Sequence, residues 1–358
     1  MKATPATKLI KHLRESVLNV DSDWSVERPG GFSWWPHKHR QDIFIDRQRT
    51  EKDGAVLRRL VVSTEIGRIR KSADTENALV SSLTGLATLS GIVCEKQRLR
   101  LHSHAWVDQS NLPLYKIVLG IVAGLQIHEA ALFSNALDQA GLAKPAATPH
   151  PVNGFRVEPD EIADIVKTVI APIGQRDTPW PEEMFMELRE EYLDSPPCLL
   201  ASADKNGITA EFPFGTESSL LQSNTNQTHP MVGKGMWMLS SFGLEEIPGG
   251  SPINPLSMNA WEIENADQPF FGSWCAPKDG LLNFVTFVPN AISQLAAAKT
   301  FILFGIGRAR RMSIKWLGDD WSNTWDDEGN CKSKSALERV ATAKKKPKSP
   351  RSKTGGRK

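Results

Sequence analysis

Two histidine pairs are the residues whose type and spacing come closest to a metal site. His102 and His104 lie two apart in an alternating stretch, Arg98–Val107, that predicts a β-strand. Both rings would point to one face of the sheet, a geometry that suits a transition metal such as zinc. His37 and His39 repeat the spacing, so four imidazoles would be available if the segments met. No Asp or Glu lies in register beside either pair, so ordinary surface or partly buried histidines are the alternative.

Sequence motifs of other catalytic chemistries are absent. No base–nucleophile pairing can be read from Ser218, Ser219 or His229. The chain has no G-x-S-x-G, no P-loop and no G-x-G-x-x-G motif. We therefore expect no catalytic residue, no cofactor and no enzymatic activity.

The cysteines and the N-terminus favour a cytoplasmic protein. The chain has four widely separated cysteines, Cys94, Cys198, Cys275 and Cys331. None belongs to a CxxC pair, which disfavours a zinc knuckle or a disulfide framework and fits a reducing compartment. The first twenty residues lack the apolar core of a signal peptide. The longest apolar runs, Ile117–Ile127 and Thr300–Gly307, are too short to span a bilayer, so no membrane partner is expected.

Aromatic residues form dense clusters near predicted strand ends, and Trp outnumbers Tyr 11 to 2. Large rings bury much apolar area, so one interpretation is packing in the core and between domains. The other is an exposed groove in which aromatic residues anchor a polypeptide partner. The residues assigned to partner binding under this second interpretation are Trp34, Trp35, Trp106, Phe270, Phe271 and Trp274.

Positive charge is concentrated in the C-terminal tail. The net charge is +2, but the last fifteen residues carry +8 and no acid, which leaves −6 on the other residues. This charge distribution excludes a globular body that binds nucleic acid through a net positive charge. The tail itself is a candidate for binding nucleic acid or another polyanion through counterion release, or for contacting the acidic stretch Asp319–Glu328, or for solubility. The candidate residues are Lys344, Lys345, Lys346, Lys348, Arg351 and Lys353.

The elements that must position these residues repeat along the chain. A length of 358 residues suggests about two domains of ~150 residues each. Each half predicts the order helix, three strands, helix, two strands, helix. We predict a first unit at 1–142, a linker with a short helix at 143–178, a second unit at 179–317, and an acidic, aromatic stretch with a disordered basic tail at 318–358.

Helical spacing, alternation and turn residues define these elements. In the first half they are a helix at Thr7–Val20, strands at Phe32–Trp35, Gln41–Asp46 and Ala55–Ser63 with an Asp53-Gly54 turn, a helix capped by Asp74 or Thr75, strands at Ile92–Glu95 and Arg98–Val107, and a helix from Pro113. In the second they are a helix to Leu193, strands at Cys198–Ala203, Thr209–Phe214 and Ser218–Ser223, an extended run at Gly235–Phe242, a helix from Pro255, strands at Gly272–Ala276 and Leu281–Val288, and a helix from Ala291. Thr300–Ile306 is compatible with either helix or strand.

This element order resembles the type III secretion chaperone fold and the similar YbjN-like proteins. Two stretches carry the resemblance, ENALVSSLTGLATLSGIVCEKQRLRLHSHAWV and NPLSMNAWEIENADQPFFGSWCAPKDGLLNFVTFVPNAISQLA. They contain no catalytic motif, so no residue's role carries over. The resemblance implies an α+β fold that binds other polypeptides along an exposed surface without chemistry, with two fused units replacing a homodimer.

We therefore predict an α+β fold of two similar α-βββ-α-ββ-α units, pseudo-symmetric, with antiparallel sheets flanked by helices. The predicted function is that of a non-enzymatic adaptor or chaperone-like protein that recognises a polypeptide, as a monomer with an internal pseudo-dimer or as a homodimer. Two alternatives stay open. One is an accessory subunit of a nucleic-acid complex acting through the tail, and the other is a metal-dependent enzyme built around His102 and His104.

Overall fold

A computed structural model describes most of the chain up to residue 317. The described residues are 4–70, 83–146, 148–164, 166, 174–177, 179–194, 198–214, 217–243, 246–247, 251–252, 255–265, 268–275 and 282–317. The predicted helix that follows Asp74 lies outside the described residues up to 82. The whole basic tail lies outside them as well.

The first unit is built around a seven-stranded sheet. Helix α1 (Pro5–His12) is capped by the Thr4 hydroxyl and continues into a π-helical turn (Leu13–Val17). The strands are β1 (Ser25–Arg28), β2 (Gly31–Trp34), β3 (Gln41–Thr50), β4 (Val56–Ile69), β5 (Gly91–Glu95), β6 (Arg98–Val107) and β7 (Ala143–Pro145). Their order is β1-β2-β3-β4-β6-β5 with β7 beside β4, and all pairs are antiparallel. Helix α2 (Leu112–Gln139) covers one face.

The second unit repeats this plan. Helix α3 (Glu182–Tyr192) leads into β8 (Leu200–Asp204), β9 (Gly207–Phe214), β10 (Glu217–His229) and β11 (Gly233–Phe242). The short pair β12 (Glu246–Ile247) and β13 (Ser251–Pro252), helix α4 (Pro255–Asn265), β14 (Ser273–Cys275), β15 (Leu282–Pro289) and helix α5 (Leu295–Leu317) follow. The six-stranded sheet has the order β8-β9-β10-β11-β15-β14, the same as β1-β2-β3-β4-β6-β5. The predicted α+β fold of two similar antiparallel units is confirmed.

The central strands of the two sheets pair in the same register, apart from β-bulges that differ between the units. Ser63 of β4 lies opposite Asp42 of β3 and His102 of β6. At the equivalent place in the second sheet, Leu239 lies opposite Gln222 and Val285. The strand pairing is therefore pseudo-symmetric, and positions in the central strands of one unit have counterparts in the other, whereas β7 has none in the six-stranded sheet.

In each sheet four strands come before the final two, where the predicted pattern has three. They are β1–β4 before β5 and β6 in the first unit, and β8–β11 before β14 and β15 in the second. In the first unit the additional strand is β1, whose sequence SVER lacks the apolar alternation that identifies a strand. It forms because β2 offers it an antiparallel partner across the Pro29-Gly30 turn, where Gly30 adopts a φ of +74°. The predicted linker likewise begins with a strand, β7, which pairs with β4.

Alternation along β4 and β6 separates the two faces of the first sheet. Leu60 and Val62 face α2 and belong to the main hydrophobic core, whereas Arg59, Val61 and Ser63 face the opposite side. We call this opposite side the outer face. In the second unit α5 lies on the face of its sheet that contains Met238 and Leu221.

Helix α2 is long and apolar enough to cross a membrane by length and composition alone, but 72% of its most apolar window is buried inside the protein. That burial is typical of the core helix of a soluble fold. Its polar side chains also point into the protein, since Gln126 donates to the Val62 carbonyl of β4 at 3.0 Å. The helix is thus fixed to the sheet by hydrogen bonds as well as by apolar packing.

Candidate binding cleft between the two units

The outer face of the first sheet and helix α4 of the second unit enclose a cleft of about 480 Å³. We call it the inter-unit cleft. The sheet contributes charged and apolar side chains from β3, β4, β5 and β6, and α4 contributes Ala260, Ile263 and Glu264. Residues from both halves of the chain are therefore needed to form it.

Two arginines of the first unit hold the C-terminal end of α4 over this face. Arg59 Nη1 donates to the Ile263 carbonyl at 2.6 Å, and Arg47 Nη1 donates to the Glu264 carbonyl at 2.8 Å. The last carbonyls of a helix lack intrahelical partners and carry partial negative charge, so guanidinium groups suit them. Arg59 is 2% exposed and is itself paired with Asp46, Nε to Oδ1 at 2.8 Å. These contacts close one side of the cleft.

Asp42 is the centre of a charged network in the cleft, although it is only 2% exposed. Its Oδ1 accepts a hydrogen bond of 2.6 Å from the Ser33 hydroxyl, and its Oδ2 accepts from Arg100. Arg40 Nε and Arg28 Nη1 lie 3.3 Å and 3.4 Å from Oδ1. Burial opposes ionisation, but the charges of Arg100 and Arg40 outweigh it and lower the pKa of Asp42. Asp42 is therefore ionised at neutral pH, and its lowered pKa makes it a weak general base.

Positive charge exceeds negative charge in this network. The second carboxylate is that of Glu65, which lies 3.8 Å from Arg40 Nη2 and 3.4 Å from Arg98 Nη1. Four arginines thus share the two carboxylates: Arg28, Arg40, Arg98 and Arg100.

Arg28 and Arg40 have donors left over. A guanidinium group has five N–H donors. The only polar contacts of the Arg28 and Arg40 guanidinium groups among the described residues are these ion contacts of 3.3–3.8 Å, longer than a good charge-assisted hydrogen bond. The Nε of Arg40 is buried without a hydrogen-bond partner. Both side chains reach solvent, being 33% and 24% exposed. Arg28 is held in place by stacking on Phe44, 3.8 Å from the ring centroid.

His102 and His104 both point to the outer face, as the alternation predicts, but they are bonded to each other. His102 Nε2 lies 3.1 Å from His104 Nδ1, and His104 Nε2 lies 3.2 Å from the Gln268 carbonyl. Burial, followed by the Arg59 and Arg100 charges, lowers the pKa of His102 to about 3. Burial, with His102 and Arg59 beside it, also lowers the pKa of His104 well below its usual value. Neutral rings suit a metal, but these nitrogens already have partners and the nearest charges repel a cation.

The second histidine pair lies in a different cavity. His37 and His39 line a space of about 310 Å³ beside α2, together with His128. His39 Nδ1 lies 3.1 Å from the Glu65 carbonyl, and burial lowers its pKa to about 4. The four imidazoles of the two pairs do not meet in one cavity. Within the described part of the chain, no group of three His, Cys, Asp or Glu residues is placed to hold a metal ion.

The second unit provides a natural comparison for the cleft, because its sheet lacks the charges. The counterparts of Asp42, Ser63 and Arg100 are Gln222, Leu239 and Asn283. The same strand order and register therefore form without any such network. The fold itself does not require the arginine cluster, which makes a structural role alone an incomplete explanation for it.

The six aromatic residues assigned to partner binding lie in the interior, not on an exposed groove. Trp34, Trp35, Trp106, Phe270, Phe271 and Trp274 are all between 0% and 7% exposed. Trp34 Nε1 donates to Gln41 under the first sheet, and Trp274 Nε1 donates to Glu262 between α4 and α5. Their burial fits the core-packing interpretation and corrects the expectation of an exposed aromatic groove, because rings of this size stabilise the fold by leaving water.

The remaining sequence candidates are placed as follows. Ser218 and His229 lie at opposite ends of β10, and both His229 nitrogens face backbone groups, the Leu86 carbonyl and the Met231 amide. The six basic tail residues, Lys344, Lys345, Lys346, Lys348, Arg351 and Lys353, lie outside the described residues.

Sequence reasoning missed the arginine cluster as a site. One pattern points to it, since the run RLRLHSH puts Arg98, Arg100, His102 and His104 on a single strand face. A strand face with this much charge is unusual for a sheet covered on both sides. The partners Asp42 and Glu65 could not be identified, because strand register cannot be read from the sequence of either strand alone.

No protein-family model, curated protein or solved structure matches this chain. The resemblance to type III secretion chaperones and YbjN-like proteins stays a prediction, and the cleft is interpreted from its own geometry.

Proposed function

We propose that the chain is a non-enzymatic binding protein of the cytoplasm, an adaptor or chaperone-like protein that recognises a polypeptide partner in the inter-unit cleft. The observation that carries this proposal is the arginine cluster of the first sheet, which has no counterpart in the second. Arginine is among the residues that contribute most to protein interfaces, because it combines charge, planar hydrogen bonding and a stacking surface.

The walls of the cleft also suit a polypeptide. Partly exposed apolar side chains from both units, Val93 and Ile263, line the cleft together with the arginines. A polypeptide offers both kinds of group at short spacing, so a partner would bury apolar atoms while a polar group meets the arginines. The titratable groups of the cleft support binding rather than catalysis, since Asp42 is paired with arginines and His102 and His104 are bonded to each other.

A variant that fills the cleft without touching an arginine tests this function. Ala260 is an exposed residue of α4 that lines the cleft, so Ala260→Trp places an indole inside it. Ser257 is exposed on the same helix, almost one turn earlier, and does not line the cleft, so Ser257→Trp is the matched control. Affinity purification from the native host followed by mass spectrometry compares the two variants with the natural chain.

We expect the natural chain and Ser257→Trp to recover the same partner, and Ala260→Trp to lose it. Recovery of that partner by Ala260→Trp would locate binding elsewhere and overturn the proposal. Failure of all three proteins to recover a reproducible partner would also count against it. Circular dichroism and thermal unfolding of both variants establish that the folds are equal.

A further inference from the structure

We infer that the inter-unit cleft anchors a carboxylate of its polypeptide partner between Arg28 and Arg40. The inference rests on the proposed function and names the chemistry of the group that the site takes. Both arginines lie at the solvent side of the buried Asp42 network, and both approach the same oxygen, Oδ1, without forming a hydrogen bond of normal length to it. Each guanidinium group therefore has N–H donors that Asp42 does not occupy, on a side chain that reaches solvent.

The charge of the arginine network determines which sign of charge a ligand must carry. Four guanidinium groups share two carboxylates in this network, and the walls of the whole cleft carry five arginines and four acidic residues, a net charge of +1. The excess positive charge lies in a partly buried space, where Coulomb interactions are stronger than in water. A positively charged or neutral group would leave this charge unpaired. An anionic group would neutralise it by pairing with the exposed parts of the Arg28 and Arg40 side chains.

His102 adds no positive charge to the cleft near neutral pH, so the arginines alone attract the anion there. Burial lowers the pKa of His102 to about 3, so this ring stays neutral and does not compete with the arginines for the anion. Arg100 remains committed to Asp42 and to the Ser63 hydroxyl, with its Nε 2.9 Å from Ser63 Oγ. The anchoring group is therefore formed by the two arginines at the edge, while Arg100 keeps Asp42 in place.

The apolar wall identifies a carboxylate on a side chain as the better fit. Val93 of the sheet and Ile263 of α4 line the same cleft as the arginines and are partly exposed. The methylene groups of a Glu side chain can pack on such a wall while the carboxylate reaches a guanidinium group. A C-terminal carboxylate has the same chemistry and is the second source to be distinguished.

Paired peptide pools test the inference with the full chain. One fluorescent pool carries random hexapeptides with a fixed central Glu and an amidated C-terminus, and the second carries Gln at that position. A third pool has the Gln and a free C-terminal carboxylate, and inorganic phosphate serves as a competitor. Binding is measured by fluorescence anisotropy with the natural chain, with the double variant Arg28→Gln/Arg40→Gln, and with the control Arg176→Gln/Lys205→Gln. The control removes two exposed basic residues, Arg176 before the second unit and Lys205 within it, neither of which lines the cleft.

We expect the Glu pool to bind the natural chain and the control roughly tenfold or more tightly than the Gln pool, a ratio typical of one charge-assisted contact. The arginine variant should lose this preference. Equal binding of all pools, or a Glu preference that survives in the arginine variant, would overturn the inference. Preference for the third pool over the Glu pool would assign the carboxylate to a C-terminus, and binding of phosphate alone would refute a carboxylate anchor. If Ala260→Trp loses the native partner while the pools show no Glu preference, the proposed function stands and this inference fails.

Discussion

Phe270 of the second unit and His104 of the first are joined by two backbone hydrogen bonds and a ring stack. The His104 amide donates to the Phe270 carbonyl at 3.2 Å, and the Phe270 amide donates to the His104 carbonyl at 2.9 Å. The rings lie 5.9 Å apart between centroids with an interplanar angle of 15°. This bridge joins β6 of one sheet to the segment that leads into β14 of the other.

The pseudo-symmetry repeats this contact in the other direction. Phe270 precedes β14 by three residues, and its counterpart Thr88 precedes β5 by three. The Thr88 carbonyl accepts a hydrogen bond of 3.0 Å from the amide of Phe287, which is the counterpart of His104. The segment before β14 of the second unit thus bonds to β6 of the first unit, and the segment before β5 of the first unit bonds to β15 of the second. The arrangement explains why the main hydrophobic core includes residues of both units.

Gly91→Ala should weaken this junction. A Cβ at position 91 would lie 2.5 Å from Cε1 of the Phe270 ring and 3.0 Å from the Gly272 carbonyl oxygen. Overpacking of a filled site typically costs about 1–3 kcal/mol, and we expect that loss in urea denaturation. The counterpart position holds Ser273, which has a Cβ, so the restriction comes from Phe270 and not from the strand pairing.

The double-mutant cycle with Phe270→Leu separates this clash from a general loss of strand stability. Phe270→Leu alone removes ring packing and should itself be destabilising. If the ring causes the clash, Gly91→Ala costs less in the Phe270→Leu background than in the natural chain. An equal cost in both backgrounds would mean that the two residues are not coupled.

The local elements could be predicted from the sequence, because their information is local. The alternation of Arg98–Val107 predicted β6 and the shared face of His102 and His104, and both are confirmed. The Asp53-Gly54 turn is confirmed as well, with Gly54 at a φ of +86° and Asp53 Oδ1 accepting from the Ala55 amide. Thr300–Ile306 was compatible with two structures, and it is helical as part of α5. Packing on the second sheet decides this case.

The cleft could not be predicted, because its contacts join distant parts of the chain. Arg100 and Asp42 are 58 residues apart, and Arg59 and the Ile263 carbonyl are 204 residues apart. The first contact depends on the register of three strands, and the second depends on how the two units dock. Sequence periodicity reports which face a side chain occupies but not what lies opposite it. The buried aromatic residues show the same limit, since clustering alone does not distinguish a core from a groove.

Gln126→Leu should destabilise the first unit. Gln126 lies under the sheet and is fully buried, where its Oε1 accepts from Thr64 Oγ1 at 2.9 Å. Its Nε2 has three acceptors within 3.2 Å, the Val62 carbonyl and the hydroxyl groups of Ser90 and Ser103. Leucine has a similar volume but leaves these partners unsatisfied, so we expect a loss of about 1–3 kcal/mol in the free energy of unfolding. Gln139→Leu on the exposed end of the same helix should change stability by less than about 0.5 kcal/mol. Equal effects of the two substitutions would show that the network contributes nothing.

Glu129 should make stability fall as the pH rises towards neutrality. Burial raises its pKa from 4.5 to about 7, because only Oε1 has partners, the amide and hydroxyl of Thr88, while Oε2 has none. Between these two values the folded chain holds a proton that the unfolded chain has released, so stability declines as pH rises through this window. Glu129→Gln removes this titrating carboxyl group. The stability of the variant relative to the natural chain should therefore increase as the pH rises from 5 to 8, by on the order of 2–3 kcal/mol.

Urea denaturation at several pH values checks this expectation. Buried histidines such as His104 and His229 have lowered pKa values and act in the opposite direction, with stability lost as the pH falls below about 6.5. They are present in both proteins and cancel in the difference. Glu190→Gln, which changes an exposed glutamate of α3, serves as the control and should leave the pH dependence unchanged. A difference between Glu129→Gln and the natural chain that does not vary with pH would contradict the raised pKa.

We expect substitution of Glu262 to destabilise the cleft strongly, because Glu262 holds α4, one wall of the cleft, against α5. It is 0% exposed, and its Oε1 accepts from Arg308 Nε at 2.9 Å and Arg311 Nη2 at 2.6 Å on α5. Its Oε2 accepts from Trp274 Nε1 at 2.6 Å. Glu262→Gln removes the only anion of this buried group and leaves two cations uncompensated, so we expect a loss of about 3–5 kcal/mol in the free energy of unfolding.

A triple replacement shows whether the loss comes from unpaired charge or from the ion pairs themselves. Glu262→Met/Arg308→Leu/Arg311→Met substitutes apolar side chains of similar volume, and such replacements of buried ion groups are often neutral or stabilising by about 1–4 kcal/mol. The triple variant also removes the acceptor of the buried Trp274 Nε1, which costs about 1–3 kcal/mol. We therefore expect the triple variant to be more stable than Glu262→Gln in urea denaturation. A triple variant as unstable as Glu262→Gln would mean that the charged contacts position α4 in a way that apolar packing cannot replace. Because α4 forms one wall of the cleft, partner recovery by the triple variant then reports directly whether binding depends on that position.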